Sequence, residues 1–291
     1  MIDSSIMWQN PAAYAEMQTH YDTELQKITF PYQTQYVDTR HGKTHVLTAG
    51  SPANPALVFW HGMNANITMW IDQINAFAPD FYVIAADGTG DTGRSAPNRL
   101  NRQTNQHGEW AADVLNALGI VKAHHVGISG GGWLILKLAN VAPEKIASAV
   151  LASSGGLIRF GLSMYLKLLP RIITTPAHRR ATVFVKIMTP PEHKPTTADL
   201  KMFELIFKFK SERGVPRLPD EQIRALTAPT MILMGQYEIP FTPQQKLIDR
   251  GRRVLPNLVR AEIMPGVGHG MNGDNPALFE HKLRDFFAQL N

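Results

Sequence analysis

Two kinds of apolar pattern recur along the 291 residues. Gln33–Thr39 and Lys43–Ala49 alternate apolar and polar positions and are split by His41-Gly42, which predicts a hairpin of half-buried strands. Ala56–Trp60 and Phe81–Ala86 are uninterrupted apolar runs, the pattern of strands covered on both faces. Further strands are predicted over Ala123–Ile128, Ala147–Ala152, Pro229–Met234 and Leu258–Met264. Between them, spacing of three and four predicts helices over Ile67–Phe77, Gln106–Leu118 (stopped by Gly119), Trp133–Ala139, Pro243–Val254 and Asn275–Leu290, with another at Pro11–Lys27 ahead of the hairpin. Strands alternating with helices predict an α/β protein built on a mostly parallel, doubly wound sheet.

The alternation stops at Gly155 and resumes after Asp220. Between them, helical patterns at Phe160–Leu169, Ala181–Met188 and Thr197–Lys210 follow one another, punctuated by seven prolines from Pro170 to Pro219. We read residues 155–220 as a helical lid inserted into a core made of residues 1–154 and 221–291. Its apolar positions, among them Phe160, Leu162, Met164, Tyr165, Leu166, Leu168 and Leu169, pack on the core or line a substrate pocket.

Composition narrows the chemistry. The chain has no cysteine, so disulfides, thiolate metal sites and a cysteine nucleophile are excluded. The net charge of +5 is unevenly spread: twelve basic and five acidic residues between Gly155 and Asp220 give that segment +7 and leave the remainder at −2. A surplus confined to one helical segment without a nucleic-acid-binding motif argues against a nucleic-acid partner. No uncharged apolar stretch reaches the roughly 18 residues of a membrane span, and Met1–Asn10 lacks a basic start with an apolar run behind it. The expectation is a cytoplasmic protein without stable membrane insertion. Residues 1–30 have two places to pack, the lid or a second copy of the chain in a homodimer.

The chemistry centres on Gly127-Ile128-Ser129-Gly130-Gly131. A strand that turns at once into a helix holds the residue at its tip in a strained conformation. Flanking glycines keep side chains out of the turn, and the serine hydroxyl is left exposed at the positive end of the helix. A serine needs a base, and the base needs a third group to orient it. Ligands of open α/β sheets sit at the carboxyl ends of the strands, so both partners are sought there. His269, in Pro265-Gly266-Val267-Gly268-His269-Gly270, follows the last predicted strand. His124 and His125 fall at the wrong end of theirs, His178 and His193 in the lid, and His281 in the closing helix. No acid follows Ala152, whereas Glu238 is the only carboxylate in the loop after Met234. For a developing oxyanion, Gly130 offers one backbone N–H and the loop after Trp60 a second, which motif order assigns to Met63.

The order Ser129, Glu238, His269 resembles the α/β-hydrolase fold superfamily. His61-Gly62 resembles its oxyanion turn, and Asp87-Gly88-Thr89-Gly90-Asp91-Thr92-Gly93-Arg94-Ser95 its D-x-x-G-x-G-x-S loop with one extra residue. The likeness covers residues 34–153 and 221–291 and is similar to the bacterial carboxylesterase branch. Two features depart from parts of the superfamily: the acid is glutamate where many members carry aspartate, and a serine nucleophile disfavours the dehalogenase and epoxide-hydrolase branches. The resemblance implies a serine esterase acting on a small-molecule ester, with a Ser129–His269–Glu238 triad, an oxyanion hole at Met63 and Gly130, substrate contacts at His61, Gly62, Trp133 and Tyr237, and neither metal nor organic cofactor. The same triad also serves C–C bond hydrolases, lactonases and cofactor-free perhydrolases, and a ligand-binding protein can be built on this fold.

Overall fold

The computed structural model describes residues 2–159, 161, 166, 170–212 and 214–290. Eight strands form one sheet: β1 Tyr32–Thr39, β2 Gly42–Ala49, β3 Ala56–Trp60, β4 Tyr82–Ala86, β5 Ala123–Ile128, β6 Ile146–Ala152, β7 Thr230–Gly235 and β8 Leu258–Met264. Their order is β1-β2-β4-β3-β5-β6-β7-β8. β2 is antiparallel to β1 and β4, and the rest of the sheet is parallel. From β3 the chain first steps to β4 on one side and then to β5 on the other, so the winding reverses between β3 and β5. Their carboxyl ends flank the crevice where ligands of such sheets bind.

The uninterrupted apolar runs are explained by cover on both faces. Along β3, Val58 and Trp60 enter one hydrophobic core while Leu57 and Phe59 enter the other. Along β7, Ile232 and Met234 alternate in the same way with Met231 and Leu233. The first core is shared by α3 (Gln106–Ala117), α4 (Gly130–Ala139), α7 (Asp220–Arg224) and α8 (Gln244–Val254); the second is shared by α1 (Pro11–Leu25), α2 (Ile71–Phe77) and α10 (Pro276–Ala288). The mostly parallel, doubly wound α/β sheet expected from the pattern is the one observed, with small differences at element ends. The predicted helix over 67–77 opens as a 3-10 turn, Ile67–Trp70, capped by Asn66. His124 and His125 lie inside the amino-terminal half of β5, and buried His125 accepts a hydrogen bond from Trp60 Nε1 at 3.0 Å.

Between β6 and α7 the described residues hold α5 (Arg180–Met188) and α6 (Thr197–Ile206). Of the predicted helix over 160–169 only residues 161 and 166 are described, so most of the apolar positions singled out there fall outside the described residues. Thr196 and Asp199 form a reciprocal capping box that starts α6. The amino-terminal segment packs on this region: Trp8 bridges Phe209, Gln9 N donates to Lys208 O, and Lys210 N donates to Met7 O. Met7, Trp8, Ala13 and Met17 bury a small core with Leu205 and Phe209. Among the described residues no helix is long and apolar enough to cross a membrane. A short α9 (Met271–Asp274) lies between β8 and α10.

Candidate active site

Three non-glycine residues among those described have positive φ: Asn64 at 57°, Ser129 at 55° and Ser153 at 39°. They follow β3, β5 and β6, which are neighbouring strands, so the unfavourable backbone is gathered at one edge of the sheet. Such strain persists only where the surroundings enforce it, and it concentrates at functional sites.

Ser129, with ψ of −110°, joins β5 directly to α4. Its backbone is held at both ends: its N–H donates to Ala152 O at 2.9 Å and its carbonyl accepts from Gly155 N at 2.9 Å. A tight turn demands close packing behind it. A Cβ at Gly131 would stand 2.0 Å from the carbonyl oxygen of Trp60, so only glycine lets the helix start lie against β3. Ser129 itself is 8% exposed at the amino end of α4, where free backbone N–H groups and the helix dipole favour negative charge.

Glu238 and His269 stand on the loops that follow β7 and β8. Nδ1 of His269 lies 3.0 Å from each carboxylate oxygen of Glu238. Glu238 is buried, and Oε1 also accepts the Phe241 N–H at 3.2 Å. Burial works to raise the pKa of Glu238. The charge of His269 and its hydrogen bond, with the adjacent Ser153 hydroxyl and the Phe241 N–H, outweigh it and hold the carboxyl below its ordinary value. Burial works to lower His269. The charge and hydrogen bond of Glu238, helped by Asp274, lift it above the ordinary histidine value. An ionised carboxylate only accepts, so the proton between them sits on Nδ1 and leaves Nε2 as a base. Among the described residues no hydrogen bond joins His269 to the Ser129 hydroxyl. Contacts of this kind are often long before substrate binds and tighten in the complex. Ser129 and Glu238 are linked through β6: Ser129 is bonded to Ala152, and the next residue, Ser153, lies against Glu238.

Met63 reaches the elbow from the loop after β3. Its backbone nitrogen is 3.0 Å from where a Cβ on Gly130 would be, so the two N–H-bearing backbones lie side by side. Gly62 also lies against the elbow, its own Cβ position being 3.7 Å from Ser129 Cβ. His61 is buried, and both ring nitrogens are engaged: Nδ1 donates to Gly62 O at 2.7 Å and Nε2 accepts from Gly88 N at 2.8 Å. A cleft opens beside these residues, lined by His61, Met63, Gly130 and buried Trp133 together with Asp91, Arg99, Arg102, His107 and Glu212. Burial pushes His107 down to about 3, so it presents a neutral ring to Trp133. Tyr237 is 38% exposed and is not part of this lining.

Sequence reasoning missed Asp87 as more than a motif position. It is fully buried and accepts from Tyr21 Oη, Ile67 N and Arg94 N, each at 2.9 Å, while lying 3.0 Å from His45 Nδ1. It also missed Asp91, Thr92 and Ser153, whose positions depend on loop conformation.

Residues 55–184 match the family model described as alpha/beta hydrolase fold. Over 298 aligned residues the chain is 26% identical to carboxylesterase YbfK of Bacillus subtilis, covering 99% of each protein. The crystal structure of carboxylesterase CesB (YbfK) from Bacillus subtilis superposes with a TM-score of 0.84 at 25% identity, covering 95% of this chain and 98% of that one. That of naproxen esterase (carboxylesterase NP), from the same organism, gives 0.83 at 25% identity over 99% of each. With likeness running through the whole of both chains, this protein has the α/β-hydrolase fold and is similar to bacterial carboxylesterases.

Proposed function

We propose that the protein is a serine hydrolase that cleaves carboxylic esters through an acyl-enzyme. Nε2 of His269 takes the Ser129 proton as Oγ attacks the acyl carbonyl carbon. The carbonyl π electrons move onto oxygen, and the N–H groups of Met63 and Gly130 receive the oxyanion. Collapse of that adduct breaks the ester C–O bond, and His269 returns the proton to the departing alcohol. Water, deprotonated by His269 in turn, releases the acid and restores Ser129. Glu238 keeps the imidazole in the reactive tautomer and stabilises its charged form.

The observation that carries this reading is the Glu238–His269 contact at the same sheet edge as the strained Ser129. The full-length likeness to carboxylesterases supports esters as the substrate class. Residues 155–220 serve as a lid over the cleft. In this reading the enzyme is cytoplasmic and has no nucleic-acid partner, and gel filtration separates a monomer from a homodimer. The test is turnover of p-nitrophenyl esters together with fluorophosphonate labelling. Wild type is expected to hydrolyse the esters and be labelled, and Ser129→Ala to do neither. Labelling that persists in Ser129→Ala would reject the assignment.

A further inference from the structure

We infer that Asp91, together with Thr92, is a positioning residue for the oxyanion turn, holding the Met63 N–H where negative charge develops on the acyl oxygen. The inference rests on the ester-hydrolase reading above.

The Met63 N–H shares its planar unit with the carbonyl of Gly62, so fixing that carbonyl fixes the direction of the N–H. His61 Nδ1 does so at 2.7 Å. The next peptide unit carries the Asn64 N–H, which donates to Asp91 Oδ1 at 3.0 Å. The unit after that presents Asn64 O, which shares the single Thr92 hydroxyl proton with Ala65 O, at 3.2 and 3.0 Å from Oγ1. Consecutive peptides of the turn are thus pinned, Gly62 O by His61, which Gly88 N holds in turn, and the next units by residues 91–92 directly: Asp91 holds Asn64, and Thr92 holds Asn64 and Ala65.

The conformation being held is unfavourable. Asn64 has φ of 57°, and without the Asp91 and Thr92 bonds the turn has an easy route to an ordinary backbone that swings the preceding N–H away. The packing leaves little slack. A Cβ on Gly88 would stand 2.7 Å from Asp91 Oδ2 and 3.1 Å from His61 Cε1, so carboxylate, imidazole and glycine form one tight layer under the turn. Burial lifts the Asp91 carboxyl above its ordinary range, against the opposing pull of His61, the Asn64 N–H and Arg102. A desolvated carboxylate is a poor way to gain stability, and its place beneath the oxyanion donors gives it a catalytic use instead. The loop that carries it has one residue more than the D-x-x-G-x-G-x-S pattern it resembles, and its Asp91-Thr92 pair faces the turn.

The test uses the full chain with Asp91→Ala, Asp91→Asn and Thr92→Val. It measures kcat and KM for p-nitrophenyl butyrate, inhibition by an alkyl trifluoromethyl ketone, and the thermal midpoint of each variant. A displaced oxyanion donor is felt in the tetrahedral adduct and little in the ground state. Asp91→Ala is therefore expected to lower kcat roughly 10- to 100-fold with KM within about twofold, and to weaken the ketone by a similar factor. Asp91→Asn keeps an acceptor oxygen and should recover most of kcat. Thr92→Val should show the same split to a smaller degree, and it decides the matter if Asp91→Ala does not fold. Variants that melt earlier yet keep wild-type kcat and ketone affinity would reduce Asp91 to a structural residue and overturn the inference. If wild type is neither labelled by fluorophosphonate nor active on any ester, the hydrolase reading falls and this inference with it. If wild type does both and the variants match it, only this inference falls.

Discussion

Nδ1 of His269 lies 3.0 Å from both carboxylate oxygens of Glu238, a two-oxygen cradle around a single donor. A glutamate has one more methylene than an aspartate, and from the β7 loop both of its oxygens reach the same ring nitrogen. The arrangement favours the tautomer with hydrogen on Nδ1. Glu238→Gln offers an amide that can turn its NH2 toward the ring and so favour the wrong tautomer. It is expected to lower kcat on the order of 10³- to 10⁴-fold with the fold intact. Steady-state kinetics with circular dichroism checks this, and a loss below tenfold would show that Glu238 does not orient the base.

The pH profile follows from the same pair. His269 acts as a base only when neutral, so kcat/KM rises with pH as it loses its proton. Glu238 holds its pKa above the ordinary value, so the rise is centred above about 6.5 in wild type. Without the carboxylate, burial is left to lower the pKa, and the residual activity of Glu238→Gln should rise at lower pH than wild type. Profiles of the two proteins that superpose after scaling would contradict the coupling.

How much of this was legible in the sequence depends on the range over which each feature is decided. Strand ends are set by local apolar runs, so Ser129, Glu238 and His269 could be placed after β5, β7 and β8 from pattern alone. The alternation of Leu57 and Phe59 with Val58 and Trp60 onto opposite faces is likewise implied by an uninterrupted run. The supports of the site are decided by loop conformation and were hidden. Nothing local says that Asn64 takes a positive φ, or that Asp91 reaches its N–H across 27 positions. The same holds for the bridge between Trp8 and Phe209, whose partners are made neighbours only by the completed fold.

Ser129 should show a stability–function conflict. Its φ of 55° with ψ of −110° is disfavoured for any residue with a Cβ, by about 1–3 kcal/mol. Ser129→Gly removes that strain and gives back part of the gain through the freer unfolded chain. It is expected to be more stable than Ser129→Ala by about 1 kcal/mol, with both inactive. Urea denaturation of the two variants measures the difference, and an alanine variant as stable as the glycine one would show that the elbow stores no strain.

Arg250 ties together the two ends of the 155–220 region. From α8 its guanidinium donates to Gly156 O and Leu157 O at one end, and to Leu218 O at 2.7 Å and Asp220 Oδ1 at 2.6 Å at the other. The side chain is 6% exposed, so its removal strands carbonyls where water does not readily replace it. Arg250→Ala is expected to destabilise the protein by roughly 1–3 kcal/mol, through the carbonyls it leaves without a donor. Lysine is a point donor and cannot span both ends, so Arg250→Lys should restore little of the loss. Chemical unfolding gives the magnitudes, and limited proteolysis of residues 155–220 tests the location of the effect. If Arg250→Lys restored wild-type stability and protease resistance, the charge would matter and the two-ended fork would not.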